Sequence, residues 1–349
     1  MQSTPYLRFA STVAIAVIAF GVRAAPPLYM VTDLGTLGGT RSIGLGINAK
    51  GEVVGWSLDV QANKHAFLYN RAQLHDLGTL GGTRSQGNTI NNRGDIVGSS
   101  RLAGDSATHA FLFTRGVMSD LGTLGGTSSS AASINASGQI AGESQVAGNG
   151  ADHAVLWARG AMTDLGTLGG TNSVALAINA SGRITGFSDI ATDTETHAFL
   201  YRHGSMTDLG TLGGSFSAGV GINDQGDVVG DSYTAGDAED HAFLYRDGSM
   251  TDLGTLGGAD SNAFAINNCG QITGVSVTAS GRFRAFVVSK GVMYNLNLLL
   301  EPVSGAGWIL VQGIGINNAG QIVGDGAIGG QRHAFLLTPT NSDPDCTSD

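Results

Sequence analysis

Charge is scarce in this sequence, and the charged residues do not cluster. Only 13% of the 349 residues are charged, the formal net charge is −10, and no run of Lys or Arg occurs. Nucleic acids and anionic membrane surfaces are bound through clustered positive charge. We therefore expect neither of them as a partner.

Cysteine is almost absent, since the chain contains only Cys269 and Cys346. One pair cannot form a disulfide scaffold for a chain of this length, so a hydrophobic core must stabilise the fold. The 8 residues from Thr338 to Cys346 can span at most about 28 Å. We predict a disulfide between Cys269 and Cys346, with two free thiols as the alternative.

Long apolar runs are limited to one stretch near the N-terminus, residues 11–22. Arg8 precedes it, and the small residues Ala24 and Ala25 follow it. This is the pattern of a secretory signal peptide, and the run is too short for a membrane span. We predict cleavage after Ala24 and export to the periplasm or the extracellular space, with no membrane span. An N-terminal helix or anchor is the alternative.

Motifs of catalysis and of phosphate binding are also missing. The patterns GxSxG, HExxH and CxxC do not occur, and GTLGG does not match the glycine-rich loops that cradle phosphates. The sequence therefore gives no indication of an enzyme or of a resident cofactor.

Glycine, by contrast, is abundant and recurs at a fixed period. The chain has 55 glycines, and the phrase TDLGTLGG at 163–170 returns with small changes at 32–39, 75–82, 119–126, 207–214 and 251–258. The spacing of its Asp is 43 residues once and 44 residues four times. A period of this length indicates a repeat architecture.

Each copy has four landmarks at nearly constant spacing: the Asp of DLG, an Asn that follows Ile, a Gly after a short apolar run, and the His of HAF. Arg284 and Asn295 replace the His and the Asp in one copy, and seven extra residues precede Asn317. Only the interval from the Gly to the His varies, between 9 and 11 residues. Variable length is typical of surface loops, so we predict a loop there.

The constant segments predict four short antiparallel strands per copy. In one copy they are 173–179, 183–188, 197–202 and 205–210, separated by turn residues. Repeated four-stranded units of about 44 residues are typical of β-propeller blades, and a parallel β-helix is the less fitting alternative. The last copy lacks its fourth strand, whereas a surplus strand lies at 28–35.

We therefore predict an all-β, seven-bladed β-propeller in which the N-terminal strand completes the last blade. The predicted organisation is a signal peptide at 1–24, a propeller of seven repeats at 25–338 and a flexible tail at 339–349.

The sequence resembles the HAF-repeat family of extracellular repeat proteins. The resemblance rests on DLGTLGG, on AINxxGQIxG, on HAFLY and on the closing NLN…GW…GQIVG…HAFL, and it covers about residues 31 to 338. It implies a secreted repeat protein. It implies no activity, because the family is defined by its repeat.

The recurring His and Asp residues predict a structural network. A residue pair present in nearly every blade cannot define one asymmetric active site. By analogy with WD-repeat propellers, we expect the His, the Asp and the Thr of DLGT to form hydrogen bonds that lock each blade, with a different arrangement at Arg284. The network residues are His65, His109, His153, His197, His241, His333, Asp33, Asp76, Asp120, Asp164, Asp208 and Asp252.

The predicted variable loops are acidic, which raises the question of calcium. Their acids are Asp105, Asp152, Asp193, Glu195, Asp237, Glu239 and Asp240. Their spacing matches no calcium-binding loop pattern. We expect a solvated acidic rim and no metal site.

One position differs from copy to copy, two residues after the DLGTLGG phrase. We expect these residues to surround the mouth of the channel, on the face of the variable loops. Arg41 and Arg84 could hold a carboxylate or a sulfate, and Phe216 could offer a stacking surface. The predicted rim consists of Arg41, Arg84, Ser128, Asn172, Phe216 and Asp260.

These patterns favour a secreted, monomeric, non-catalytic module that binds a glycan, an extracellular polymer or a cell-surface protein through its variable face. A polysaccharide-acting propeller enzyme and a purely structural envelope protein are the alternatives. The enzyme would need non-repeated acids or a His/Tyr pair at the mouth, where only Asp260 qualifies.

Overall fold

The computed structural model describes residues 27–341 and residue 346. The predicted signal peptide and most of the predicted tail lie outside the described residues. Within the described part, the chain consists of 28 β-strands and two short 3-10 helices, Ala103–Asp105 and Leu296–Leu298. The chain is therefore an all-β protein.

Antiparallel pairing groups the strands in fours, which we number units 1 to 7 in chain order. Single parallel pairs join unit 7 to unit 1, at Arg332 and Arg41, and unit 4 to unit 5, at Thr196 and Phe216. The first strands of the units are β2 (Gly38–Ile47), β6 (Gly81–Ile90), β10 (Gly125–Ile134), β14 (Gly169–Ile178), β18 (Gly213–Ile222), β22 (Gly257–Ile266) and β26 (Ile309–Ile316). The second strands are β3 (Val53–Asp59), β7 (Ile96–Leu102), β11 (Ile140–Val146), β15 (Ile184–Ile190), β19 (Val228–Thr234), β23 (Ile272–Thr278) and β27 (Ile322–Ile328).

The third strands are β4 (Lys64–Asn70), β8 (Thr108–Thr114), β12 (Asp152–Ala158), β16 (Thr196–Arg202), β20 (Asp240–Arg246), β24 (Phe283–Ser289) and β28 (Gln331–Pro339). The fourth strands of units 1 to 6 are β5 (Gln73–Asp76), β9 (Val117–Asp120), β13 (Ala161–Asp164), β17 (Ser205–Asp208), β21 (Ser249–Asp252) and β25 (Val292–Asn295).

The fourth strand of unit 7 is the N-terminal strand, β1 (Tyr29–Asp33). It pairs antiparallel with β28, from Tyr29 opposite Pro339 to Asp33 opposite Phe335, as the strand count predicts. Its other side is occupied as well, because the Tyr29 amide donates to Leu299 O and the Glu301 amide donates to Tyr29 O. The segment that follows β25 therefore covers an edge that would otherwise be open to pairing with another chain.

The units also contact one another in sequence. Each first strand contacts the first strand of the next unit, and β26 contacts β2. Between units lie clusters of buried side chains, such as Ala141, Ala154, Ala175, Ile184 and Phe199 between units 3 and 4. The hydrophobic core is thus distributed over the unit-to-unit interfaces.

Two predicted boundaries are wrong. The fourth strand ends at the Asp of DLG, and the first strand begins already at the last two glycines of the phrase, as in β14 (Gly169–Ile178). About half of the variable interval is strand, because β3 continues to Asp59, Leu58 lies opposite Lys64 at the start of β4, and only 60–63 remain as a turn in unit 1. Backbone pairing in a hairpin extends as far as the turn allows, which sequence variability alone does not reveal.

Candidate functional site at the channel mouth

A central cavity of about 520 Å³ is lined by the first strands of all seven units. Successive inward-facing residues of a strand are two positions apart, or about 6.8 Å. Residues at equivalent positions of the seven first strands therefore form levels along the cavity. The outer level includes Gln86, Ser130 and Val174, with Glu143 beside them. The next level consists of Leu45, Asn88, Ala132, Leu176, Val220, Phe264 and Ile314. The cavity thus has a polar entrance at units 2 and 3 and a mainly apolar interior.

A cluster of cations lies beside this entrance, at the junction of units 1 and 2. Trp56 on β3 is its centre: Lys64 Nζ lies 4.7 Å and Arg41 Cζ lies 5.3 Å from the centroid of the indole ring. Both distances are within the range of cation–π attraction. Lys64 also donates a hydrogen bond to Gln86 Oε1. We call Arg41, Trp56, Lys64 and Arg84 the cation cluster.

The positive charges of the cation cluster repel one another. Burial lowers the pKa of the Lys64 ammonium, and the charges of Arg84 and Arg41 lower it further. Charges of like sign in a partly desolvated place cost free energy that a bound anion would recover. A second pocket, lined by Lys64, Arg84, Gln86, Arg101 and others, opens at this place.

The mouth also carries carboxyl groups, at units 3 and 5. In unit 5, burial raises the pKa of Asp231 to about 7, with a contribution from the charge of Asp240. In unit 3, burial raises the pKa of Glu143, and the charge of Asp152 adds to the shift. The face that carries the cation cluster therefore also carries carboxyl groups at units 3 and 5. In unit 7, Asp325 pairs with Arg332, and the charge of Arg41 acts on the same carboxylate.

The predicted rim residues lie at this end of the first strands, but they do not line the central cavity. Arg41 and Lys64 lie against the same indole ring, and Arg84 lines the small pocket that contains Lys64. Phe216 packs instead on Tyr233, with ring centroids 5.2 Å apart. The aromatic side chain that accompanies the arginines is thus Trp56 and not Phe216.

The other rim residues bond within their own surroundings. Asn172 donates to Asp189 Oδ2 at 2.8 Å and accepts from the Asp152 amide at 3.2 Å. Asp260 accepts from the Asp240 amide at 3.3 Å. Ser128 lies in a small pocket with Glu143 and Asp152. Each rim residue lies beside the start of the preceding unit's third strand. For Arg84 of unit 2, the residue there is Lys64 of unit 1.

Sequence reasoning missed Lys64 and Trp56. The signal was present, because the residue before each His and the residue after each landmark Gly vary between copies. In chain order, the residues before the His position are Lys, Thr, Asp, Thr, Asp, Phe and Arg. The residues after the Gly are Trp, Ser, Glu, Phe, Asp, Val and Asp. Only the pairing shows that they lie beside the rim.

The predicted network pairs form in all six units that have both residues. Nδ1 of each His lies 2.8–3.0 Å from a carboxylate oxygen of the Asp: His65–Asp76, His109–Asp120, His153–Asp164, His197–Asp208, His241–Asp252 and His333–Asp33. The sixth pair joins the two ends of the chain.

The pairs are more exposed than a locking network requires. The His side chains are 14–23% exposed and the Asp side chains are 39–44% exposed, so each pair contributes little to stability. The Thr of DLGT is not part of the network: Thr123 donates to Gly126 O and accepts from the Gly125 amide. In unit 6, Arg284 donates to Phe283 O, and Asn295 accepts from Asn297.

Buried serines, which sequence reasoning overlooked, connect the units instead. Ser129 on β10 accepts from the Ala110 amide of the preceding unit at 2.9 Å and donates to Gly122 O, in the connection between the two units, at 2.6 Å. The same bonds recur at Ser42, Ser85, Ser173, Ser217 and Ser261. The signal was a serine three residues after each DLGTLGG phrase.

The Asn that follows Ile in each copy connects the units at the opposite end of the channel. Asn135 accepts from the amides of Ser137 and Gln139 and donates to Asn179 O of the next unit at 3.1 Å. Equivalent bonds join Asn48 to Asn91, Asn91 to Asn135, Asn179 to Asn223, Asn267 to Asn317, and Asn317 to Asn48. The remaining junction is bridged by Asn268 Nδ2, which donates to Asp224 Oδ2 at 2.8 Å.

The acidic loop residues mostly hold the loops in place. Asp105 accepts from the amide and the hydroxyl of Thr83, and these bonds lower its pKa. Asp193 and Asp237 accept in the same way from Thr171 and Ser215. Across residues 27–341 and 346, no group of three or more His, Cys, Asp or Glu side chains is arranged to hold a metal ion.

Cys269 and Cys346 form a disulfide in the structure, with Cα atoms 5.4 Å apart. This separation is within the usual range for disulfides. The bond ties the tail to the turn between β22 and β23. We expect thiol titration of the denatured protein without reductant to find no free thiol, and two titratable thiols would contradict the bond.

Solved structures that resemble the chain share little sequence with it. TolB from Acinetobacter baumannii has a TM-score of 0.47 at 11% identity, covering 87% of this chain and 65% of that one. A puromycin-hydrolyzing peptidase from Mycobacterium tuberculosis has a TM-score of 0.51 at 13% identity, covering 82% of this chain and 49% of that one. The β-propeller domain of the Trilobed protease from Pyrococcus furiosus has a TM-score of 0.50 at 8% identity, covering 92% and 100%.

The chain therefore spans about half the length of the peptidase and just under two thirds of TolB. Likeness at such low identity shows the fold alone. The fold is a β-propeller.

No protein-family model matches the sequence, and comparison with curated proteins finds no match. Among the described residues, no helix has the length and the apolar character that crossing a membrane requires.

Proposed function

We propose that the protein is an exported, non-catalytic member of the HAF-repeat family and a seven-bladed propeller that binds an anionic group at the cation cluster. The closed ring is supported by the contact of β26 with β2, by the bond from Asn317 to Asn48 O and by the pairing of β1 with β28. A non-catalytic role is supported by the repetition of the His–Asp pairs, because six equivalent pairs do not define one reactive centre. The non-repeated acids that an enzyme would need at the mouth are Glu143 and Asp231, which the sequence had not singled out beside Asp260.

The observation that carries the proposed binding role is that Arg41 and Lys64 both lie against Trp56, with Arg84 in the same small pocket as Lys64. The indole ring holds two of the cations in place, which reduces the entropy lost when a ligand binds. Guanidinium groups match the planar geometry of carboxylates and offer paired donors to sulfates. The ligand is therefore a molecule with a carboxylate or sulfate group, such as an acidic glycan or another extracellular polymer.

Binding of a sulfated oligosaccharide, compared with its desulfated counterpart, tests this function. We expect the wild-type protein to bind the sulfated form only, and more weakly as the salt concentration rises. Lys64→Gln and Arg84→Gln should each weaken binding by about tenfold or more, since a hydrogen bond to a charged group contributes about 1.5–3 kcal/mol. The measurement is isothermal titration calorimetry.

Arg202→Gln is the matched control for this test, because Arg202 is exposed and lies at the opposite end of a third strand. It removes the same charge and should leave the affinity unchanged. Equal affinity in all three variants, or no binding of either oligosaccharide or of inorganic sulfate, would refute the proposed function.

A further inference from the structure

The interior of the channel is mainly apolar, and binding of an anion at the mouth does not require this. We call Leu45, Leu176, Val220, Phe264 and Ile314 the apolar ring. All five occupy the same register position of their first strands, and all are partly exposed to the cavity. A channel filled only with water has no need of such side chains, because exposed apolar surface is unfavourable.

The apolar ring is connected to the cation cluster through Gln86. Gln86 accepts from Lys64 and donates through Nε2 to Asn88 Oδ1 at 2.6 Å. Asn88 in turn donates to Ala131 O at 2.8 Å. Gln86 lines both the central cavity and the pocket that contains Lys64 and Arg84. The two cavities are therefore adjacent, with the Gln86 side chain as their shared wall.

The cavity has the dimensions of a small-molecule site. Its volume of about 520 Å³ lies within the range of about 300–1,000 Å³ that is common for ligand pockets. Below the apolar ring the lining continues with Ile47, Ile178, Ile222, Ile266 and Ile316. From Gln86 to this last level is two strand steps, or about 14 Å. An extended apolar group can therefore be surrounded along its length.

We propose that the channel takes the apolar tail of an amphiphilic anion whose head group lies at Lys64 and Arg84. The occupant is a small molecule with one carboxylate or sulfate and an unbranched aliphatic tail. The assignment of its head group depends on the proposed function, whereas the assignment of its tail depends on the apolar ring. Cations at the mouth and apolar side chains inside match the two ends of such a molecule, and the carboxyl groups of Glu143 and Asp231 disfavour an anion at units 3 and 5.

The test is calorimetric titration of the full chain with unbranched carboxylates from acetate to decanoate. We expect the affinity to rise about fourfold per methylene group until the cavity is filled. Phe264→Asn and, independently, Leu176→Asn should flatten this rise, whereas Lys64→Gln should weaken every member by the same factor. Val60→Asn, at a side chain 72% exposed in the turn between β3 and β4, should change neither property. Thermal melting of each variant checks that it is folded.

Three outcomes distinguish failure of the proposed tail site in the channel from failure of the proposed head-group site. Affinity that is independent of chain length in the wild type would overturn the proposal, while binding of acetate or sulfate would keep the proposed anion site. Octylammonium binding as tightly as octanoate would overturn the assignment of the head group. A chain-length series of alkanols that binds with the same slope, in a protein that binds no anion, would uphold the channel and refute the anion site.

Discussion

Replacing Gly142 by alanine is expected to destabilise the protein by about 3 kcal/mol or more, which is the range of severe overpacking. A Cβ atom at this position would lie 2.1 Å from Ser130 O and 3.0 Å from Trp157 Cζ3. The pairing of β10 with β11 shifts register between Ala131 and Ser133, beside this close approach. Backbone atoms held in a strand pair cannot move away, so the strand itself would have to shift.

Chemical denaturation at 25 °C measures this effect, and Gly150→Ala is the matched control in the same unit. A Cβ atom on Gly150 would meet nothing within 4 Å, and its φ angle is not positive. The control should therefore be neutral or slightly stabilising, because alanine restricts the unfolded chain. A loss for Gly142→Ala as small as that of the control would show that the strand pair is not as tight as described.

Replacing Asp231 by asparagine is expected to stabilise the protein at pH 8 and to change its stability little at pH 4. Burial and the charge of Asp240 raise the pKa of Asp231 to about 7 from 3.8. The folded protein therefore binds this proton more tightly than the unfolded chain does. The stability that the protonated group contributes is fully present below about pH 4 and is lost as the pH rises to about 7.

Asparagine removes this loss, so the gain at pH 8 should be on the order of 2–4 kcal/mol. Denaturation at a series of pH values between 4 and 8 measures it. Asp247→Asn controls for the general effect of removing one negative charge, because Asp247 is exposed in a turn whose positive φ asparagine tolerates. Parallel pH profiles for wild type and Asp231→Asn would show that Asp231 is ionised in the folded protein throughout.

The order and pairing of the strands could be predicted from the sequence because the signals are local. Alternating apolar residues and turn glycines recur in every copy, and neighbouring strands in the chain are paired in space. The surplus N-terminal strand could be assigned to the last unit because that unit lacks its own. Strand ends were less predictable, since the glycines that appear to mark a turn also begin β14.

The candidate site could be predicted only in part. Arg41 and Arg84 were recognised because their position varies between copies. Their partners Trp56 and Lys64 also vary, but they lie on the second and third strands of unit 1, and no spacing rule places them beside Arg84 of unit 2. Phe216 was assigned to the same site because it shares a sequence position with the arginines, yet its own neighbour is Tyr233.

The phrase DLGTLGG thus determined, by itself, the repeat, the four-stranded unit and the order of the units, because each copy folds on its own local pattern. What the tertiary structure alone decided is which variable residues meet. Lys64, Arg84 and Gln86 come together because the third strand of one unit lies against the first strand of the next. The serine bonds depend on the same contact, whereas the asparagine bonds depend on the contact between successive first strands. The sequence shows that these residues recur, but it does not show which polar residues bond to a neighbouring unit.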